Sequence, residues 1–150
     1  MISQRSIAIV GAGMGGLATA ATLRSIGMKV DVYEQASRFE RIGAGIQMMP
    51  NSMKVLRQIG IEDSLLQSSF KPYSHLNREW NTGEILRELP MPEELFGAPY
   101  LCMHRADLTT ALSSVIPSDV IHFNKKLVDL DETASGVKLR FEDRTSAVAD

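Results

Sequence analysis

A glycine-rich turn, Gly11-x-Gly13-x-x-Gly16, constrains the fold of this chain more than any other feature. An apolar run at residues 7–10 (IAIV) precedes the turn and predicts a buried strand, and an apolar helical pattern follows it. A second β-rich run at residues 28–34 (MKVDVYE) ends in the acid Glu34. Strand, glycine turn, helix, strand and acid, in this order, predict a βαβ unit that binds the pyrophosphate and ribose of a dinucleotide.

Each part of this unit has a physical task. Gly11 permits a tight turn, Gly13 lets the backbone approach the pyrophosphate, and Gly16 lets the helix pack closely on the sheet. The helix N-terminus offers free N–H groups and partial positive charge to the phosphates. Glu34 follows Gly16 by 18 residues, close to the roughly 20 expected of a ribose-binding acid. Its carboxylate can accept a hydrogen bond from a ribose hydroxyl and would repel a 2′-phosphate, which disfavours NADP at this site.

Composition narrows the function classes. The chain has 150 residues, a net charge of −2 and no run rich in Lys and Arg, which gives no reason to expect a nucleic-acid partner. No stretch is long and apolar enough to predict a membrane span. The single cysteine, Cys102, excludes an internal disulfide and a cysteine metal cluster and is typical of a reducing, cytoplasmic location. His75 and His122 lack acidic or cysteine partners at metal-binding spacing, so no metal site is expected.

The remaining segments complete the predicted fold. Residues 35–49 are too rich in glycine for a helix and are expected to form a loop with a second glycine cluster at residues 43–45. A helix is predicted from Pro50 to Gly60, a hairpin over residues 75–89 with its turn at residues 81–83, and a strand leading into a helix with Asp107 as N-cap. Three strands are predicted near the C-terminus, with turns at TASG and EDRT. The fold class is therefore α/β: a Rossmann-like βαβ core with an inserted β-hairpin and a C-terminal β-meander.

Several of these motifs occur together in one known family. The segments GAGMGG (11–16), VYEQ (32–35), RIGAGIQ (41–47), PNSMKVLRQIGI (50–61) and HRADL (104–108) resemble the class A flavoprotein aromatic hydroxylases over essentially the whole chain. The resemblance implies FAD as cofactor, NADH or NADPH as transient co-substrate, and a small aromatic substrate with O₂. In that family a flavin C4a-hydroperoxide hydroxylates a phenol or pyridinol, and a nicotinate-like substrate can lose its carboxylate in the same reaction.

The resemblance also implies roles for individual residues. The glycines would lie along the FAD pyrophosphate, and Glu34 and Gln35 would lie at the adenosine ribose. Arg41 and Arg105 would reach the cofactor. Gln47 would lie near the flavin, and Leu127 near the adenine. The cofactor-binding residues expected on this basis are Gly11, Gly13, Gly15, Gly16, Glu34, Gln35, Arg41, Gln47, Arg105 and Leu127. Two cationic side chains beside a diphosphate are physically reasonable, because they donate charge-assisted hydrogen bonds. Arg41 has an alternative role in a surface ion pair with Glu40 or Glu34.

Two positions bear on the chemistry. Gln47 stands where the nicotinate hydroxylases of the family carry histidine and other members carry other residues, including glutamine. Its amide does not titrate near neutral pH and so cannot act as a general base, which leaves the catalytic residues unassigned. His104 is either a proton carrier or, more simply, a strand-end histidine with structural hydrogen bonds.

The resemblance therefore predicts an FAD-dependent monooxygenase. It further implies that residues 1–150 are the N-terminal part of an FAD-binding domain, truncated before the rest of that domain and the substrate domain, and inactive alone. Two alternatives stay open at this point: an NAD-dependent Rossmann dehydrogenase and a stand-alone nucleotide-binding module without catalysis. The sequence does not predict the oligomeric state.

Overall fold

The computed structural model describes residues 5–41, 43–134 and 136–150, which divide into two compact units. The first unit is drawn from Met1–Arg41 and Thr109–Asp150, and the second from Ile42–Leu108. The elements, in chain order, are β1 (Ser6–Val10), α1 (Met14–Ser25), β2 (Lys29–Tyr33), β3 (Gly45–Met48), α2 (Pro50–Gln58), α3 (Glu62–Ser68), β4 (Ser74–Arg78), β5 (Ile85–Pro90), α4 (Glu93–Phe96), β6 (Leu101–His104), α5 (Arg105–Ser114), a 3-10 helix (Ser118–Val120), β7 (Ile121–His122), β8 (Leu127–Thr133), β9 (Gly136–Phe141) and β10 (Ser146–Ala149). None of the helices in the described part of the chain is long and apolar enough to cross a membrane.

The first unit contains the βαβ core. Strands β1 and β2 pair in parallel, and β2 pairs in parallel with β7. Helix α1 joins β1 to β2 and buries Leu17 completely, while Val32 on β2 is also fully buried. Gly27, with a φ of 84°, follows the end of α1, as expected of a glycine that ends a helix in the left-handed region. The predicted strand–helix–strand unit is confirmed.

The C-terminal part of the first unit is an antiparallel meander in the order β10-β9-β8. Leu139 and Phe141 on β9 are buried, in agreement with the apolar alternation of the sequence. The Asp150 N–H donates to the Ser6 carbonyl oxygen at 3.0 Å, which connects the end of the meander to β1. The sequence predicted three strands here, and the structure adds β7, which precedes them. Ser135 of the predicted TASG turn lies outside the described residues.

The second unit holds two antiparallel strand pairs, β3 with β6 and β4 with β5. Helix α2 begins at Pro50, as predicted, and buries Met53 and Leu56. The hairpin β4–β5 is also confirmed, and Gly83 in its turn has a φ of 74°. We expected an irregular loop over residues 35–49. This prediction was wrong at residues 45–48, which form strand β3 because they pair with β6. Helix α3 was not predicted.

The expectation that Asp107 caps helix α5 was also wrong. The helix begins at Arg105, which places Asp107 inside its first turn. Strand β6 runs directly into the helix, so the capping position falls on His104, whose Nδ1 accepts a hydrogen bond from the Ala106 N–H at 3.1 Å. The structural role expected of His104 is therefore present.

Candidate functional site

The glycine turn leaves β1 with a geometry that demands glycine at two positions. Gly11 has a φ of 99°, and its N–H donates to the Tyr33 carbonyl oxygen at 2.7 Å. A Cβ on Gly16 would stand 1.9 Å from the Gly11 carbonyl oxygen and 3.3 Å from Ile9 Cγ2. Gly16 therefore packs against the turn itself, and this contact sets how closely α1 approaches β1.

Gly13 and Gly15 serve a different purpose, because a Cβ on either would meet no atom within 4 Å. Gly13 is the N-cap of α1 and provides no side-chain hydrogen bond, and the first turn of the helix carries no acidic residue. The helix N-terminus thus presents open space, N–H groups and partial positive charge, the features to which a phosphate group binds.

Glu34 binds the backbone of the glycine turn. Its Oε2 accepts the Ala12 N–H at 2.7 Å, and its Oε1 accepts the Ala36 N–H at 2.9 Å. The Glu34 N–H donates to the His122 carbonyl oxygen at 2.9 Å, which aligns the residue with the end of β7. A carboxylate has about four lone-pair sites, so Glu34 retains acceptor capacity for two further donors, such as ribose hydroxyls.

A cavity of about 360 Å³ opens beside Glu34. Its lining residues are Val10, Gly11, Tyr33, Glu34, Gln35, Lys125 and Leu127. Four of these, Gly11, Glu34, Gln35 and Leu127, are residues predicted from the sequence. The structure therefore brings together one turn glycine, the acid at the end of β2 and the first residue of β8.

Sequence reasoning missed three residues of this cavity, Val10, Tyr33 and Lys125. The Tyr33 ring stacks on the rings of His122 and Phe141, with centroid distances of 4.9 and 4.8 Å. Burial, with a smaller contribution from Asp31, raises the pKa of Tyr33, so its phenol stays neutral at physiological pH. The position of Tyr33 next to Glu34 in sequence was the one available indication of its place in the cavity.

Lys125 is held at the cavity by the turn between β9 and β10. Its Nζ lies 2.5 Å from Asp143 Oδ2 and 2.9 Å from Thr145 Oγ1. Hydrogen bonds from Lys125 and then Thr145 lower the pKa of Asp143 to about 2. Because the partners are 18 and 20 residues away along the chain, no local pattern indicated that Lys125 would lie beside Glu34.

The two predicted arginines lie in different units. Arg41 belongs to the first unit and is exposed, outside the residues that line the cavity. Arg105 belongs to the second unit, where its N–H donates to the Ala44 carbonyl oxygen at 3.1 Å. Gly43, with a φ of 137°, lies so close to Arg105 that a Cβ would stand 3.3 Å from the arginine Cβ and Cδ. The second glycine cluster thus accommodates the Arg105 side chain.

Gln47 lies in the middle of β3, opposite Cys102 of β6, and is exposed. It belongs to the second unit, so the residues predicted from the sequence are distributed over both units. Within the described ranges, no group of three or more His, Cys, Asp or Glu side chains is arranged to hold a metal ion.

Comparison with known proteins identifies relatives over nearly the whole chain. The model of a family described as "FAD binding domain" matches residues 4–149. The 6-hydroxynicotinate 3-monooxygenase of Pseudomonas fluorescens is 42% identical over 147 residues, which cover 96% of this chain and 38% of that protein. The 3-amino-4-hydroxybenzoate 2-monooxygenase of Streptomyces cremeus is 40% identical over 147 residues, covering 96% of this chain and 37% of that protein.

Solved structures show the same architecture. HpxO of Klebsiella pneumoniae, complexed with FAD and uric acid, superposes with a TM-score of 0.83 at 27% identity, covering all of this chain and 38% of that one. The 2,6-dihydroxypyridine-3-hydroxylase of Arthrobacter nicotinovorans gives a TM-score of 0.78 at 29% identity, covering 99% of this chain and 36% of that one. The chain thus spans less than two fifths of the length of these relatives. The α/β fold and the resemblance to aromatic hydroxylases are confirmed.

Proposed function

Because the chain belongs to the FAD binding domain family, we propose that it binds the adenosine and diphosphate part of FAD in the first unit. The observation that carries this proposal is the position of Glu34, whose carboxylate lines the cavity and also accepts the N–H of Ala12 in the glycine turn. A single carboxylate thereby connects a site for a ribose with a helix N-terminus suited to a diphosphate.

The residues of the first unit suit the parts of this ligand. The aromatic ring of Tyr33 and the aliphatic side chains of Val10 and Leu127 offer apolar surface to an adenine. Glu34 has remaining acceptor capacity for the ribose hydroxyls, and the open space above Gly13 admits a phosphate to the start of α1. Lys125, which also lines the cavity, adds positive charge close to an anionic ligand.

We further propose that this binding supports hydroxylation of a small aromatic or pyridine ring, with O₂ and NADH or NADPH as co-substrates. Bound FAD supplies the redox chemistry, and the protein supplies binding and orientation. Relatives named for the oxidation of 6-hydroxynicotinate, 3-amino-4-hydroxybenzoate and urate support this reaction class. We propose that Arg41, Arg105 and Gln47 complete the surroundings of the cofactor, with the amide of Gln47 donating or accepting hydrogen bonds without titrating.

Calorimetric titration of the chain with FAD, ADP and NADP tests the nucleotide site. We expect FAD and ADP to bind and NADP to bind more weakly, since its 2′-phosphate would meet the Glu34 carboxylate. Glu34→Gln should weaken FAD binding by about tenfold or more, because hydrogen bonds to a charged group contribute roughly 1.5–3 kcal/mol.

The matched control is Glu40→Gln, which makes the same chemical change at an exposed acid six residues further along the chain. Glu40 Oε1 lies 3.8 Å from Arg38 Nε, and Glu40 is not among the residues that line the cavity. Its replacement should leave FAD affinity unchanged. Equal losses in both variants, or full FAD affinity in Glu34→Gln, would refute the assigned role of Glu34.

A further inference from the structure

The second unit contains a separate cavity of about 280 Å³ on one face of the hairpin. Its lining residues are Met49, His75, Asn77, Arg87 and Leu89. In the register of the hairpin, His75 faces Leu89 and Asn77 faces Arg87. The volume is close to the lower end of the roughly 300–1,000 Å³ typical of small-ligand pockets. A single ring with one or two substituents matches this size.

The polar groups of this cavity carry positive charge and hydrogen-bonding capacity without any acid. Arg87 is the one charged residue among the five, and no described residue forms a hydrogen bond or ion pair with its guanidinium. Elsewhere on the hairpin Glu88 accepts a hydrogen bond from Ser74 Oγ, and this acid is not among the lining residues. A guanidinium in such a setting is suited to a carboxylate, which it binds through two parallel hydrogen bonds.

The remaining lining residues suit a flat heteroaromatic ring. Met49 and Leu89, each 37% exposed, supply apolar surface. His75 and Asn77 lie two positions apart on β4 and both offer hydrogen bonds to ring substituents. Met49 follows Gln47 by two residues, and the extended backbone over residues 47–49 directs both side chains to the same side.

We propose that this cavity, the hairpin cavity, binds the carboxylate-bearing ring of an aromatic or pyridine carboxylate. In this proposal the Arg87 guanidinium forms an ion pair with the carboxylate. This inference rests on the proposed function for the class of ligand, and it assigns a binding role to residues outside the nucleotide site. Arg87 acts in it as a specificity-determining residue, because a ring without a carboxylate leaves the guanidinium unpaired.

The test compares two ligands that differ only in the carboxylate, 6-hydroxynicotinate and 2-hydroxypyridine, by NMR titration of the FAD-saturated chain. We expect 6-hydroxynicotinate to shift the amide resonances of β4 and β5, and 2-hydroxypyridine to bind at least about tenfold more weakly. Arg87→Gln should remove this preference, and Arg87→Lys should retain part of it through its charge. Arg78→Gln is the matched control, because Arg78 lies on the same hairpin but does not line the cavity.

The outcomes separate this inference from the proposed function. Equal affinity for both ligands, an unchanged preference in Arg87→Gln, or the absence of shifts in β4 and β5 would overturn the assignment of the hairpin cavity. FAD affinity, measured by calorimetry in the same variants, should be unchanged. A chain that binds no FAD would refute the nucleotide site, and the titration would then be performed without FAD, with the same shifts expected at the hairpin.

Discussion

At the scale of single residues, neighbouring glycines of one helix have opposite tasks. Gly16 excludes any side chain because a Cβ would overlap the Gly11 carbonyl oxygen, whereas Gly15 faces open space. The resemblance that places both glycines along the pyrophosphate does not distinguish close packing within the protein from room left for a ligand. The distinction follows from the path of the turn between β1 and α1.

This difference predicts opposite effects on stability. Gly16→Ala should lower the free energy of unfolding by about 1–3 kcal/mol or more, because the turn must shift to admit the methyl group. Gly15→Ala should raise it by roughly 0.5–1 kcal/mol, since alanine costs less than glycine in a helix. Urea unfolding of the two variants measures both values. Equal destabilisation of the two would contradict the geometry described for the turn.

The substitution Gly15→Ala should also affect ligand binding. If the diphosphate lies over the start of α1, the methyl group of Gly15→Ala occupies part of its space and weakens FAD binding while the fold becomes more stable. Calorimetry with FAD measures the affinity of this variant. Unchanged affinity in Gly15→Ala would place the diphosphate away from the start of the helix.

At the scale of secondary-structure elements, the turn between β9 and β10 positions Lys125 at the cavity beside Glu34. Asp143 in this turn forms an ion pair with Lys125. The folded state lowers the pKa of Asp143 to about 2 from its ordinary value of 3.8. A lowered carboxyl pKa stabilises the fold above the ordinary value, and this contribution is lost as the pH falls towards the lowered one. The ion pair therefore stabilises the meander at neutral pH and ceases to do so in strong acid.

Two variants test this pair. Titration of the Asp143 carboxyl by NMR should give a pKa near 2 in the parent chain, and Lys125→Met should move it back towards 3.8. Between about pH 4 and pH 2 the Tm should fall less in Asp143→Asn than in the parent, because the variant has no carboxyl to protonate. An unaltered Asp143 titration in Lys125→Met would show that the lysine does not cause the shift.

The elements that the sequence predicted are those defined by local patterns. Strand β1, helix α1 and strand β2 follow from hydrophobic periodicity and the glycine turn, and Gly83 marks the hairpin. Strands β3 and β7 could not be predicted in this way, because pairing with distant partners creates them. The place of Lys125 in the cavity escaped prediction for the same reason. The capping of α5 by His104 is a local contact, and it was missed because Asp107 is a more usual capping residue than histidine.

At the scale of the whole molecule, the order of elements separates this chain from a nicotinamide-dependent dehydrogenase. A repeated βαβ arrangement would place another helix and parallel strand directly after β2. Here β7, the next strand of the parallel sheet, comes only after the antiparallel pairs of the second unit in sequence. The dinucleotide motif alone does not make this distinction, whereas the segments that follow Glu34 do.

The first unit is proposed to bind the adenosine and diphosphate part of FAD between Glu34 and the start of α1. The most direct measurement is NMR titration of the isotopically labelled chain with ADP, which contains this part of the cofactor without the flavin. We expect the largest amide shifts on residues 11–16 and on Glu34 and Gln35. Saturable binding of ADP that leaves these amides unshifted, or no binding of ADP at all, would contradict this proposal.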